Sequence, residues 1–364
     1  MKTIGILTHY QVHNHGAILQ MHGLYHTLEN LGWNPCVLTY QKNLSFIDPK
    51  LAKKYNISLH SVPFYAKYIC TQNPVFITFQ FLKRKVLNNF MRTHYRFEPL
   101  QQSCPDAVVI GSDEVFSLEV GVNIMMYGHT VPAGKVFSYA ASFGQTDTKR
   151  IADKHCTALI ANGLKMLKAI CVRDKSSADT VAALTGITPQ ICFDPVLLYG
   201  FEKELQNTSY CVPKQPYLVI YAYSDRLNTP QEIEAIKSFA RKHGLKIVSP
   251  GFYHKWADKS LQVTPLELLK VIQSAQYVVT DTFHGTVMAA LLNRPFAVLI
   301  RESNRNKISY LLDSLGLQAQ RVNQLAELET VLLQPVNWPQ LNQTIQRLRE
   351  EGISYLQGVL NEQK

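Results

Sequence analysis

The feature that most constrains this chain is the regular alternation of short apolar runs with segments of helical period. Apolar runs at 3–8, 35–40, 106–110, 135–140, 169–172 and 190–193 have the length of strands buried on both faces. Helical periodicity fills 16–31, 149–168 and 175–184 between them. Parallel strands need a crossover long enough to be a helix, so this order predicts an open α/β sheet. A polar, proline-bearing stretch at 200–215 interrupts the pattern, which then restarts with runs at 217–223, 246–248, 277–280 and 296–300. Helices are expected at 231–243, 264–275, 285–292 and 307–315. Thr264-Pro265-Leu266-Glu267 reads as a capping box with proline at the first helical position. The expected organisation is an N-terminal domain over 1–205 with an insertion at 43–100, then a C-terminal domain over 213–335. An amphipathic helix at 340–364 is expected to pack back on the first domain.

Composition narrows the function classes. With 364 residues, 46% of them hydrophobic, each half can bury its own core, which excludes a disordered chain. Uncharged apolar runs fall far short of the roughly 20 residues that span a bilayer. The run after Lys2 is too short for a signal-peptide core, so a cytoplasmic location is expected. The seven cysteines are odd in number and contain no C-x-x-C, so each is expected to be a small buried hydrophobe. The net charge of +10 is local: residues 50–97 hold nine cations and no acid, which leaves 28 basic against 27 acidic residues elsewhere. A nucleic-acid partner is therefore not expected. The cations alternate with aromatic residues, a pattern that suits either a solvated helical insertion or contact with an anionic membrane.

In parallel sheets, ligands bind beyond the carboxyl ends of the strands, and the polar clusters of this chain fall there. They are residues 9–16, 111–114 and 141–144, then Arg173 and the run Asp281-Thr282-Phe283-His284-Gly285-Thr286. One cleft between two domains is expected. Gly285 would let an anion reach the free amides of the following helix. His284 carries an imidazole, a group suited to general acid or base work, or is a structural loop histidine. Arg173 suits a carboxylate or phosphate, or forms a local pair with Asp174. Asp113 reads as a helix cap or as a base for a hydroxyl proton. His13 with His15, and His22 with His26, lack a completing ligand, so no metal site is expected. Dinucleotide and P-loop fingerprints are absent.

The segments HNHGAILQ at 13–20, DAVVIGSDEVF at 106–116, SYAASFG at 138–144, CVRDKSSA at 171–178, CFDPVLLY at 192–199 and TDTFHGTVMAALLNRPFAVLI at 280–300 together resemble the polysaccharide pyruvyl transferase family. NRNKISYLLDSLGL at 304–317 continues the likeness. The resemblance implies two Rossmann-like domains facing a cleft, similar to B-type glycosyltransferases. It implies a pyruvyltransferase that uses phosphoenolpyruvate as donor substrate, without a cofactor. The acceptor would be a hexose of a capsule, exopolysaccharide or polyprenyl-linked oligosaccharide, converted to a cyclic ketal. His284 and Asp113 would be catalytic. Arg173, Thr282, Phe283, Gly285, Thr286, Ser112, Asn14, His15 and Gly16 would bind the donor. Many related enzymes carry an arginine where this chain has Thr282, and Arg301, Arg305 and Lys307 are the candidates to supply the missing cation. His15 stands where many have tyrosine and adds a possible second titrating group. A lipid-borne acceptor would give the basic block a use at the inner face of the membrane. A nucleotide-sugar glycosyltransferase, with Glu302 as its acidic residue, and a non-catalytic glycan binder are the competing readings.

Overall fold

The computed structural model describes residues 2–43 and 73–361. Seven strands form the first sheet: β1 (Thr3–Leu7), β2 (Asn34–Thr39), β3 (Phe97–Pro99), β4 (Ala107–Asp113), β5 (Val136–Ala141), β6 (Cys171–Val172) and β7 (Gln190–Ile191). Six form the second: β8 (Tyr217–Tyr221), β9 (Lys246–Pro250), β10 (Lys259–Leu261), β11 (Tyr277–Thr280), β12 (Phe296–Leu299) and β13 (Arg321–Val322). Their spatial orders are β3-β2-β1-β4-β5-β6-β7 and β10-β9-β8-β11-β12-β13. Every pairing is parallel. Each sheet therefore reverses its strand order once, between β1 and β4 and between β8 and β11. Such switch points open the crevice in which doubly wound sheets bind ligands. Val108, Val109 and Ile110 in β4, and Val278 and Val279 in β11, are fully buried, which is why these strands read as continuous apolar runs.

The first sheet carries α1 (His15–Asn30), α2 (Pro74–His94), α3 (Thr148–Asp153), α4 (Thr157–Met166) and α5 (Lys175–Thr185). Two short helices, α6 (Pro195–Tyr199) and α7 (Glu202–Asn207), lead to the second sheet. That sheet carries α8 (Pro230–Lys242), α9 (Pro265–Gln273), α10 (Phe283–Leu291), α11 (Arg305–Leu315) and α12 (Leu328–Leu333). The capping box at α9 is present: Thr264 Oγ1 accepts the Glu267 amide at 3.2 Å, and Glu267 Oε2 accepts the Thr264 amide at 2.7 Å. The last helix, α13 (Trp338–Asn361), spans both lobes. Leu341, Ile345 and Leu348 join the second core, while Tyr355, Leu356, Val359 and Leu360 join the first. Tyr355 donates to the Ser138 carbonyl at 2.9 Å, which fixes the far end of the helix to β5.

Several expectations change. The segment 149–168 is two helices, because His155 takes a left-handed φ of 55° and ends the first. Asp194-Pro195 does not simply end the pattern: Asp194 accepts the Val196 amide at 3.1 Å and starts α6 with proline in its first turn. Cys104 and Cys211 are exposed rather than buried, and Cys70 lies outside the described residues. Of the nine basic residues in 50–97, Lys50, Lys53, Lys54 and Lys67 also lie outside them. The others sit on or just after α2, whose inner face buries Phe79, Leu87, Phe90 and Met91. Its outer face leaves Val75, Phe81 and Leu82 exposed beside Arg84, Lys85 and Arg92. Among the described residues no helix is long and apolar enough to cross a membrane.

Candidate active site

The two switch points face one another across a cleft of about 560 Å³. At the first, Asn14 caps α1 by accepting the Gly16 amide at 2.8 Å. This start brings the α1 backbone against the ring of His284 from the other lobe. A Cβ at Gly16 would lie 2.3 Å from His284 Cγ, closer than any packing allows. Gly16→Ala is therefore expected to displace the imidazole and lower turnover at least tenfold, at an overpacking cost of about 1–3 kcal/mol in stability. Turnover within twofold of wild type would show that the ring has room to move.

Next to α1, β4 ends in Asp113, which sits at φ 73° with 21% of its side chain exposed. No helix begins there to be capped; the next helical turn, Leu118–Val120, is capped by Ser117. Arg173 follows β6, Asp194 follows β7, and His284 lies in the first turn of α10 after β11. Asp194 is fully buried, and its Oδ2 takes Arg173 Nη1 at 2.9 Å and faces His284 Nε2 at 3.5 Å. Arg173 Nη2 lies 3.6 Å from Asp113 Oδ1, and its guanidinium stacks 4.3 Å over the Phe283 ring. Four charged or titratable groups thus share one network, contributed by four separate strand ends.

Burial would raise the Asp113 carboxyl, but the charges of Arg173, His284 and His9 outweigh it and hold it below its ordinary value. For Asp194 burial is likewise outweighed, by His284 and Arg173. Both carboxylates stay ionised at neutral pH, and their presence raises the Arg173 guanidinium despite its burial. His9 is driven the other way, because burial exceeds the opposing effect of Asp113.

The helix after β11 begins at Phe283 rather than Gly285. Thr282 is its cap, and Thr282 Oγ1 accepts the Gly285 amide at 3.0 Å, so that amide is not free for an anion. The amides of Phe283 and His284 occupy the first two helical positions, which have no intrahelical acceptor. Thr286 is fully buried and donates to the Thr282 carbonyl, so it stands behind the site. Ser112 is buried and donates to Gln20 Oε1 at 2.9 Å, away from the cleft. His15 is also buried: Nε2 meets the Val263 carbonyl at 2.8 Å, and burial pushes its pKa down to about 3. It is not a titrating group of the cleft near neutral pH.

Of the three candidates for the missing cation, Lys307 lines the cleft, where its ammonium is 2.5 Å from Glu114 Oε1. Arg301 instead ties Asp281 to Glu232, at 3.1 and 2.5 Å, and Arg305 is exposed outside the cleft. Glu302 is exposed as well and does not line it. His9 and Glu114, from the strand-end clusters at 9–16 and 111–114, also line the cleft, whereas Arg226, Lys42 and Tyr223, which line it too, and Asp194, which faces His284, lay outside those clusters. The Asp-Pro pair after β7 was the available signal for Asp194, since an acid there caps a helix and from that position also meets Arg173 and His284.

Two doubly wound sheets with a shared cleft and a polar cluster at their switch points define a GT-B-like protein. Similar solved structures agree on the fold. A candidate UDP-N-acetylglucosamine 2-epimerase of Listeria monocytogenes is 11% identical at a TM-score of 0.54, covering 100% of this chain and 97% of that one. The UDP-GlcNAc 2-epimerase of Methanocaldococcus jannaschii is 12% identical at 0.52, covering 98% and 100%. No curated protein sequence matches significantly. The profile of the polysaccharide pyruvyl transferase family matches residues 14–303, and the chain belongs to that family. Membership makes it a transferase of polysaccharide pyruvylation with a glycan acceptor.

Proposed function

We propose that the chain transfers the pyruvyl group of phosphoenolpyruvate to two hydroxyls of one hexose, forming a cyclic ketal and releasing phosphate. The observation that carries this reading is the Asp113–Arg173–Asp194–His284 network at the paired switch points. The enol phosphate of the donor becomes electrophilic at C2 only when C3 is protonated. His284, held by Asp194, supplies that proton. A sugar hydroxyl then adds to C2, and Asp113 takes its proton. Phosphate leaves, and the second hydroxyl closes the ketal, its proton departing with the phosphate. The Phe283 and His284 amides and Lys307 stabilise the leaving anion. Both Arg173 Nη groups face carboxylates, so Arg173 acts as a positioning residue that holds Asp113 and Asp194 in place.

The test is mass spectrometry of reactions containing phosphoenolpyruvate and a panel of aryl hexosides. A product heavier by one pyruvyl ketal, with phosphate released in equal amount, is expected. Transfer of sugar from a nucleotide donor instead would replace this reading with the glycosyltransferase one.

The acceptor is a surface glycan or its polyprenyl-linked precursor, reached at the inner face of the membrane. The outer face of α2 supports that placement, since Phe81 is 67% exposed next to Leu82, Arg84 and Lys85. Neutralising Lys85 and Arg92 together is expected to weaken binding to vesicles containing anionic lipid by about 30-fold, at ~1 kcal/mol per charge. Sedimentation with vesicles measures it; binding that is unaffected by both changes argues for a wholly solvated helix.

A further inference from the structure

Every cation lining the inner part of the cleft has an acid within reach: Arg173 has Asp194 and Asp113, Lys307 has Glu114, and Arg226 lies 3.9 Å from Asp281. The β2 side of the cleft is different. Lys42, just after β2, lines it together with His13. His13 Nε2 meets Asn88 Oδ1 at 3.0 Å, which seats α2 against this corner and brings Lys83 and Arg84 close to His13. Among the described residues no carboxylate pairs with Lys42, Lys83 or Arg84. Lys83 is only 4% exposed, and its ammonium rests 4.0 Å over the ring of Phe252, which itself lines the cleft. Among the described residues that aromatic face is the ammonium's one neighbour of opposite polarity, and a buried ammonium so placed is costly unless an anion joins it.

We propose that this corner, formed by Lys42 and His13 with Lys83 and Arg84 behind them, binds a phosphate or diphosphate group carried by the acceptor. β2 and β4 flank β1 on opposite sides, so their ends lie two strand spacings apart, about 10 Å. A hexose bridges such a gap, with its hydroxyls at Asp113 and His284 and its anomeric phosphate at Lys42. A finished neutral polymer would bring no counter-charge to the corner. Lys83 fits a responsive site: burial lowers its pKa to about 7, and an arriving phosphate would favour its charged form. That the phosphate belongs to an acceptor rests on the proposed pyruvyl transfer; the anion corner itself does not.

The test is calorimetric titration of inorganic pyrophosphate into the full chain at saturating phosphoenolpyruvate. Binding is expected, and Lys42→Gln should weaken it at least about tenfold, the scale of one charge-assisted contact. Lys83→Met, which keeps the apolar stem, should weaken it similarly. No binding, binding that phosphoenolpyruvate competes away, or binding indifferent to Lys42→Gln overturns the proposal. Geranyl diphosphate and uridine diphosphate form the two further arms. Tighter binding of the first assigns a lipid carrier and of the second a nucleotide carrier, and either sustains the site. If neither ester binds where pyrophosphate does, the corner takes an adventitious ion only and the proposal falls. Should no ketal form with any acceptor while Lys42→Gln still weakens pyrophosphate, the pyruvyl reading fails and the anion corner stands.

Discussion

His284→Ala is expected to lower turnover between about 100- and 10,000-fold, the range for loss of a general acid or base, with the melting temperature nearly unchanged. The asymmetry follows from the network. Removing the ring leaves Asp194 still bound to Arg173 at 2.9 Å and to the Val196 amide at 3.1 Å, so no buried charge is orphaned. Asp194→Ala is the contrasting variant. It strips a 2%-exposed guanidinium of its nearest partner, and breaking a buried pair in this way costs roughly 3–5 kcal/mol. Phosphate release from phosphoenolpyruvate with acceptor, followed alongside melting, separates the two: His284→Ala should lose rate alone, Asp194→Ala rate and stability together. If His284→Ala keeps turnover within tenfold, the proton at C3 comes from another group, and His9 beside Asp113 would be next to replace.

The fold was largely legible because its signals are local. Strands buried on both faces leave continuous apolar runs, and caps such as Thr264 with Glu267 depend on four adjacent residues. The strand order that the two sheets share, which the first extends by one strand, β7, was not legible, since pairing across crossovers leaves no local mark. In the site, His284, Arg173 and Asp113 stood out because polar residues directly follow buried strands. What sequence could not separate is which neighbour faces the cleft. Ser112 and Asp113 are adjacent, yet one turns to Gln20 and the other to Arg173. His13 and His15 differ likewise: one lines the cleft, and the other is sealed against Val263. The Thr282 cap is a further case, because the same Gly285 amide can greet an anion or a threonine hydroxyl, and only the helix start decides.

The melting temperature is expected to fall steeply as pH drops from 6.5 to 4, a window set by buried histidines rather than by carboxylates. His22 is 1% exposed on α1, with Tyr95 at 2.8 Å, Glu204 at 3.8 Å, and the rings of His26, His94 and Phe201 around it. Burial pushes its pKa down to about 4 despite Glu204, and burial takes His15, beside Lys83, to about 3. Unfolded histidines bind protons near 6.5. Between that value and the folded one, the unfolded chain carries more protons, so stability declines as pH falls and the loss is complete below the folded value. At about 1.4 kcal/mol per tenfold change in proton affinity, His22 alone withdraws on the order of 3 kcal/mol, a large part of a typical 5–15 kcal/mol. Glu204, held at about 2 by its partners although burial opposes them, and the lowered Asp113 and Asp194 act in a separate window. Their contribution is intact above about pH 4 and is lost only below it. Calorimetry from pH 8 to 4.5 checks the sign, and His22→Gln should flatten the slope because a neutral amide takes up no proton. A melting temperature that is flat down to pH 4.5 would mean that these rings are hydrated. The contact between α1, the end of α2 and the short helix carrying Glu204 would then be looser than its packing implies.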